Sequence, residues 1–195
     1  MDLFRILLIG VVTLFYLFYF VKQVLLKKKG IVTNRLSRGD KPLRTYRIER
    51  LLSLLTIAMF ILQYVSILYG ADLLGSWQSS VSVSVGGIVV AVMGLVFFLS
   101  ALATMKDSWR AGIDSTQKTA IVTGGVYRYS RNPAFVGFDL LYIGTCMVYP
   151  NIFLIVFTLL TLYCFHLQIL EEEQYLPSVF GKDYELYKKK VRRYF

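Results

Sequence analysis

Residues 131–173 read RNPAFVGFDLLYIGTCMVYPNIFLIVFTLLTLYCFHLQILEEE, and their reading decides the fold. Two apolar runs, Ala134–Tyr149 and Ile152–Leu170, meet at Pro150-Asn151. Their polar ends are Arg131-Asn132 on one side and Glu171-Glu172-Glu173 on the other. Two helices joined by so short a turn must run antiparallel, which returns the three carboxylates to the level of Arg131. Charge of both signs then gathers at one membrane face, where it is costly unless a partner compensates it.

Outward from this hairpin the chain is apolar throughout. Of its 195 residues 56% are hydrophobic, and the mean hydropathy is +0.56, above the ~45–50% apolar share of soluble domains. Three further runs precede the hairpin: Leu3–Leu26, Leu51–Tyr69 and Val85–Met105. Each is near the ~20 residues needed to cross a bilayer core. Backbone polar groups in lipid must be satisfied within their own segment, so these runs are helices. The expectation is an all-α integral membrane protein with about five transmembrane helices, the fourth and fifth forming the hairpin. Val81–Val85 alternates like a strand and is expected as an interfacial lead-in to the third helix. The first run is too long for a signal-peptide core and has no small-residue cleavage site, so it is expected to remain as an anchor.

Charge orients the spans. The net charge is +10, and of 22 Lys and Arg all but Arg5 and Lys22 fall in 27–50, 106–133 and 171–195. In a five-span arrangement those segments share one side, which places the N-terminus outside and the C-terminus in the cytoplasm. The same pattern explains the positive charge better than nucleic acid does, and no nucleic-acid partner is expected. In the tail, Tyr184, Tyr187, Val191 and Tyr194 recur at helical spacing against a basic face, which predicts a cytoplasmic amphipathic helix. Its aromatic stripe can lie in an anionic leaflet or pack on the protein itself. Two units result: residues 1–107, with N-terminal spans and a basic cytoplasmic linker at 27–50, and 108–195, which carries the chemistry.

Pro133 suits the first turn of a helix, whose N-terminus favours an anionic group. Arg128 and Arg131 stand beside it, Glu171–Glu173 offer acceptors to an amine or a ribose, and Tyr127, Phe135 and Tyr175 can wall an aromatic ring. The Asn132-Pro133 break would leave backbone groups free for a ligand. Asp139 lies inside a span, and such groups face a cavity or a partner; Arg131 and Lys118 are its candidate partners. His166 is expected as a polar residue facing the bundle interior. With one His and no zinc-type ligand spacing, metal chemistry is not expected. Cys146 and Cys164 lie in apolar runs and read as small buried hydrophobes. Gly124-Gly125 lacks the strand–turn–helix context of a dinucleotide fingerprint.

At these residues the chain resembles the isoprenylcysteine carboxyl methyltransferases and their relatives among the phospholipid methyltransferases. The resemblance covers about 108–190, through Arg131-Asn132-Pro133-Ala134-Phe135-Val136-Gly137 and, after the hairpin, Glu172-Glu173 with Leu176 and Phe180-Gly181. It implies S-adenosylmethionine at the cytoplasmic face and a lipophilic acceptor entering from the bilayer. By position it implies cofactor contacts from Thr119, Ala120, Ile121, Val122, Tyr127, Asn132, Pro133, Ala134, Phe135 and Glu172. Substrate-side candidates are Arg131, Asp139, Gln168 and Glu173. Two positions depart from the prenylcysteine enzymes: Asn132 replaces a His, and Gln168 replaces an Arg that would meet a substrate carboxylate. The acceptor therefore stays open between a carboxylate and a lipid amine, and no catalytic base is assigned. The alternatives are an NADPH-dependent sterol or lipid reductase of similar C-terminal architecture, and a non-enzymatic membrane scaffold. Three consecutive carboxylates favour a sulfonium over a phosphate-rich dinucleotide.

Overall fold

The computed structural model describes residues 3–33, 36–37, 41–109 and 121–195. They form six α-helices: α1 (Leu3–Lys28), α2 (Leu43–Leu73), α3 (Val81–Met105), α4 (Pro133–Val148), α5 (Ile152–Phe180) and α6 (Lys182–Lys190). No strand occurs among the described residues. The helices α1, α2, α3 and α5 are long and apolar enough to cross a membrane. The expected all-α integral membrane fold is what the chain adopts. The fourth run is the short one: α4 has 16 residues, about 24 Å of helix against a hydrocarbon core of about 30 Å.

Several boundaries differ from the sequence expectation, each for a local reason. Val81–Val85 does not stand apart from the third helix but forms its first turn, because the Ser80 hydroxyl caps it by accepting from the Val83 N–H. Satisfying that N–H outweighs a period-2 pattern in a segment with no strand to pair with. Helix α2 begins at Leu43, eight residues before its apolar run, and so absorbs part of the basic linker. Helix α5 continues through the carboxylates and Pro177 and breaks at Gly181, whose φ of 54° permits the turn into α6.

Pairing across the bundle follows side-chain size. Helices α3 and α4 run antiparallel with their backbones nearly touching. A Cβ on Gly94 would lie 2.7 Å from the Gly137 carbonyl oxygen, and one on Gly144 would lie 2.6 Å from that of Gly87. Such glycine seams let helices associate by close packing where no hydrophobic driving force is available. Phe15 of α1 stacks on Phe98 of α3 at 4.1 Å between ring centroids. Helix α2 packs along α5, held at one end by Thr45 donating to Glu171 and at the other by Asn151 donating to Ser66 at 3.0 Å. Asn151 is fully buried and also caps α5 through the Leu154 N–H at 2.9 Å. The α4–α5 hairpin is thereby locked at its turn.

Candidate functional site

At the charged end of the bundle a cavity of about 660 Å³ opens between α1, α2, α4, α5 and α6. That volume lies within the ~300–1,000 Å³ range of cofactor and small-molecule sites. Its polar end is lined by Ile121, Val122, Tyr127, Asn132, Ala134, Phe135 and Glu172, and by Arg131, Gln168 and Glu173. Residues scattered over some fifty positions therefore meet around one space. Pro133 opens α4 at its first position but does not line the cavity. Thr119 and Ala120 lie outside the described residues, as does Lys118.

The three carboxylates of α5 separate because successive helical residues point about 100° apart. Glu171 turns to α2, where the Thr45 hydroxyl donates to it and the Arg44 Nε lies at 3.2 Å. Glu172 turns into the cavity and accepts from Gln168 Nε2 at 3.0 Å. Glu173 turns to the tail and sits between two guanidinium groups. Arg131 Nη2 donates to its Oε1, and Arg193 reaches Oε1 through Nε at 3.0 Å and Oε2 through Nη2 at 2.8 Å. That carboxylate holds the Arg193 guanidinium above its ordinary pKa.

Arg131 thus acts as a strut, while its Nε is buried with no hydrogen-bond partner among the described residues and its side chain also lines the cavity. Its Nη1 also donates to the carbonyls of Val191 at 2.6 Å and Lys188 at 3.2 Å, which caps the end of α6 with positive charge. The tail reaches back to the same motif. The Arg131 N–H donates to Arg192 O at 3.1 Å, and Asn132 Nδ2 donates to Arg193 O at 3.1 Å. The Asn132 N–H is taken by the Ser130 hydroxyl at 3.1 Å. The sequence reading left these backbone groups to a ligand; the chain satisfies them itself.

Of the tail's two compatible readings, packing on the protein is the one seen. Tyr184 and Tyr187 are buried, and the Tyr187 hydroxyl donates to Tyr127 O at 2.7 Å. Burial raises Tyr187 to about 12 and raises Tyr127 as well, so both hydroxyls stay protonated. Helix α6 ends at Lys190, and Val191–Phe195 continues as an extended strap. His166 Nδ1 lies 2.7 Å from the Tyr194 hydroxyl, which pairs it with the tail rather than the cavity.

Asp139 does not join the cavity. It follows Phe138, which lines the apolar wall, and its own Oδ1 is buried with no hydrogen-bond partner among the described residues. Of its two candidate partners, Arg131 bonds to Glu173 and the tail, and Lys118 lies outside the described residues.

Sequence reasoning missed the other half of the lining: Tyr16, Tyr19 and Gln23 of α1, and Ser53, Thr56 and Phe60 of α2. Their signal was a scatter of polar and aromatic residues within apolar runs, which no motif singles out. The buried pair Lys41–Glu49, at 2.7 Å, was likewise hidden in a basic linker. No group of three or more potential metal ligands occurs among the described residues.

Four long apolar helices, enclosing a cofactor-sized cavity with a carboxylate, an aromatic wall and an apolar extension, define an integral membrane protein. The chain belongs to the phospholipid methyltransferase family, whose model matches residues 81–183. It is 43% identical over 72 residues to the protein-S-isoprenylcysteine O-methyltransferase of Schizosaccharomyces pombe, covering 36% of this chain and 30% of that one. It is 33% identical over 112 residues to a probable protein-S-isoprenylcysteine O-methyltransferase of Oryza sativa subsp. indica, covering 56% and 59%. Against the protein-S-isoprenylcysteine O-methyltransferase of Xenopus laevis it is 33% identical over 111 residues, 55% of this chain and 38% of the other. The matched stretch spans less than two thirds of each of these relatives.

Proposed function

We propose that the protein transfers a methyl group from S-adenosylmethionine to a lipophilic acceptor that enters from the bilayer. The observation that carries this reading is the single cavity joining the Asn132–Phe135 and Glu172 motifs to an apolar limb between α1 and α2. Phe20 and Ile57 line that limb and are also 51% and 60% exposed, so it opens sideways toward lipid. The polar end fits the cofactor. Gln168 is fully buried with no partner for its Oε1 among the described residues, and Glu172 faces the same space, so two acceptors suit a donor-bearing, cationic ligand. Tyr127 and Phe135 supply a flat wall for an adenine ring. The bound cofactor would supply an electrophilic methyl on a sulfonium. The chain's part is to hold that group in line with the acceptor and to exclude water. The strapped Arg131–Glu173 pair and the buried tyrosines close the polar end. A reductase reading fares less well, because Glu172, which faces the cavity and bonds to the neutral Gln168 amide, would oppose dinucleotide phosphates.

The test is cofactor binding. S-adenosylhomocysteine should raise the melting temperature of the purified protein and NADPH should not. Glu172→Ala should weaken S-adenosylmethionine by about ten- to a hundred-fold, the loss of a charged hydrogen-bond acceptor in a partly desolvated site, while Lys189→Ala should not. Equal affinities would remove the pocket assignment, and no binding by the parent would remove the function.

The same reading places the cavity at the cytoplasmic face and the N-terminus outside, supported by the one-sided Lys and Arg distribution. With Cys146 and Cys164 replaced, an impermeant thiol reagent on intact cells should label a cysteine at Ser76 and spare one at Ser178. The reverse pattern overturns the orientation.

A further inference from the structure

Below the apolar limb lies a polar construction that the methyl-transfer reading does not use. The Tyr16 hydroxyl donates to Gln63 Oε1 at 2.7 Å. Gln63 Nε2 donates to the Thr145 hydroxyl at 2.8 Å, and Thr145 donates to Leu141 O at 2.8 Å. Gln63 and Thr145 are fully buried, and the chain of bonds ties α1 to α2 and α4 in the middle of the bundle. Tyr16 is the one member that lines the cavity. Phe60 stands edge-on to its ring at 4.7 Å between centroids. Phe60 also meets Phe20 at 6.2 Å, which bridges α1 and α2 at that level.

We infer that Tyr16 is a latched floor that sets the length of the acceptor chain, and that Gln63 is the residue that positions it. The physical reason is the cost of moving it. Swinging the Tyr16 ring aside to admit more chain would strip Gln63 Oε1 of its donor among hydrocarbon, where no water replaces it. A Leu or Phe at the same place could rotate away without that penalty. From Leu52 to Phe60 helix α2 advances about 12 Å, and from Gln23 to Tyr16 helix α1 advances about 10 Å. An extended chain of on the order of ten carbons spans that depth. Longer chains must bend back toward the side opening beside Ile57. The substrate class is therefore an acceptor with a single chain of limited length.

For its headgroup this inference rests on the proposed methyl transfer, so the experiment measures chain binding and methylation separately. Purified protein is supplied with labelled S-adenosylmethionine and N-acetyl-S-geranyl, -farnesyl or -geranylgeranyl cysteine. In the parent, kcat/KM for the geranylgeranyl compound should fall about ten-fold below that for the best shorter chain, the scale on which a packed apolar pocket discriminates. Tyr16→Phe keeps the ring and removes the latch; Gln63→Leu removes the latch from outside the cavity. Both should reduce that ratio to about three-fold or less. A ratio near unity in the parent, or variants with the parent's ratio, overturns the inference. Binding of tritiated farnesol and geranylgeraniol to the same proteins is the second arm. Discrimination there without methylation of any compound leaves the floor standing and removes the prenylcysteine carboxylate as the group methylated. Methylation with no discrimination in either arm removes the floor alone.

Discussion

The bundle has a closed half and an open half. Between α3 and α4, Gly87, Gly94, Gly137 and Gly144 bring backbone against backbone, with carbonyl oxygens where any Cβ would stand. Between α1 and α2, Tyr16, Tyr19, Phe20, Ser53, Thr56 and Phe60 border a cavity instead. The closed half carries the Asn132–Phe135 turn at the head of α4, so the turn that the proposed reading gives to the cofactor stands on a close-packed support. The open half shapes what else can enter. A membrane protein cannot gain much by burying apolar side chains against each other when lipid is equally apolar, so backbone proximity is what distinguishes a platform from a wall.

The strongest way to break this contrast is to place a branched side chain in the seam. Gly137→Val would drive a Cβ to 2.8 Å from that of Phe98 and 2.9 Å from Gly94 O. Backbone atoms cannot give way as a flexible side chain can, so the cost should exceed the ~1–3 kcal/mol usual for overpacking. Loss of monodisperse protein, or a melting temperature lowered by many degrees together with loss of cofactor binding, is expected. Ser53→Val, on the open wall, should leave the melting temperature nearly unchanged and alter the acceptor KM. Similar melting shifts for the two would show that the halves do not differ.

The tail sharpens the contrast at the polar end. Arg193 forms both bonds to Glu173 with a side chain about one third exposed. A charged pair of this kind is worth ~1.5–3 kcal/mol when buried, and solvent screening brings the expectation for Arg193→Ala to about 1 kcal/mol. Cofactor affinity should fall with it, because Glu173 then pulls on Arg131 alone; Arg193→Lys should restore part of the loss. A melting shift without change in affinity would confine Arg193 to stability.

A smaller effect comes from Tyr187, whose hydroxyl burial raises from 10.0 to about 12. The protonated form is the one the fold favours. Its contribution is therefore complete below pH 10 and declines as the pH rises from 10 toward 12. Alkaline melting curves should show that slope in the parent and a shallower one in Tyr187→Phe. Identical slopes would place the hydroxyl outside the folded network.

How much of this was legible in the sequence depended on the range of the interaction. Hydropathy runs located the helices because each span satisfies its own backbone, a local requirement. The Asn132–Phe135 and Glu172 motifs converged because a hairpin with so short a turn leaves no other geometry. The glycine seam was not legible: Gly87 and Gly94 looked like ordinary residues of an apolar run, and only a facing glycine gives them meaning. Arg131 and Glu173 were found, but their shared partner Arg193 was not, because it lies in a tail whose path no local pattern determines. Asp139 was placed in the site on the cost of its charge alone, which says that a partner is needed and not where the side chain points.

The smallest effect tests whether charge outside the cavity matters at all. Lys29, just past α1, meets Asp107 beside the end of α3 at 2.8 Å, and it ties the ends of the two helices that flank the seam and the cavity. Both side chains are more than half exposed, at 58% and 55%. In water the attraction between them is screened and set against the entropy of holding two long side chains, which leaves ~0.2–1 kcal/mol. Lys29→Ala should therefore lower the melting temperature by at most a degree or two, with the loss disappearing at high salt. Methyl transfer and cofactor affinity should stay at parental values. A larger, salt-insensitive loss would mean that the α1–α3 end is a support of the cavity, and the division into a rigid platform and an adjustable wall would have to be redrawn to include it.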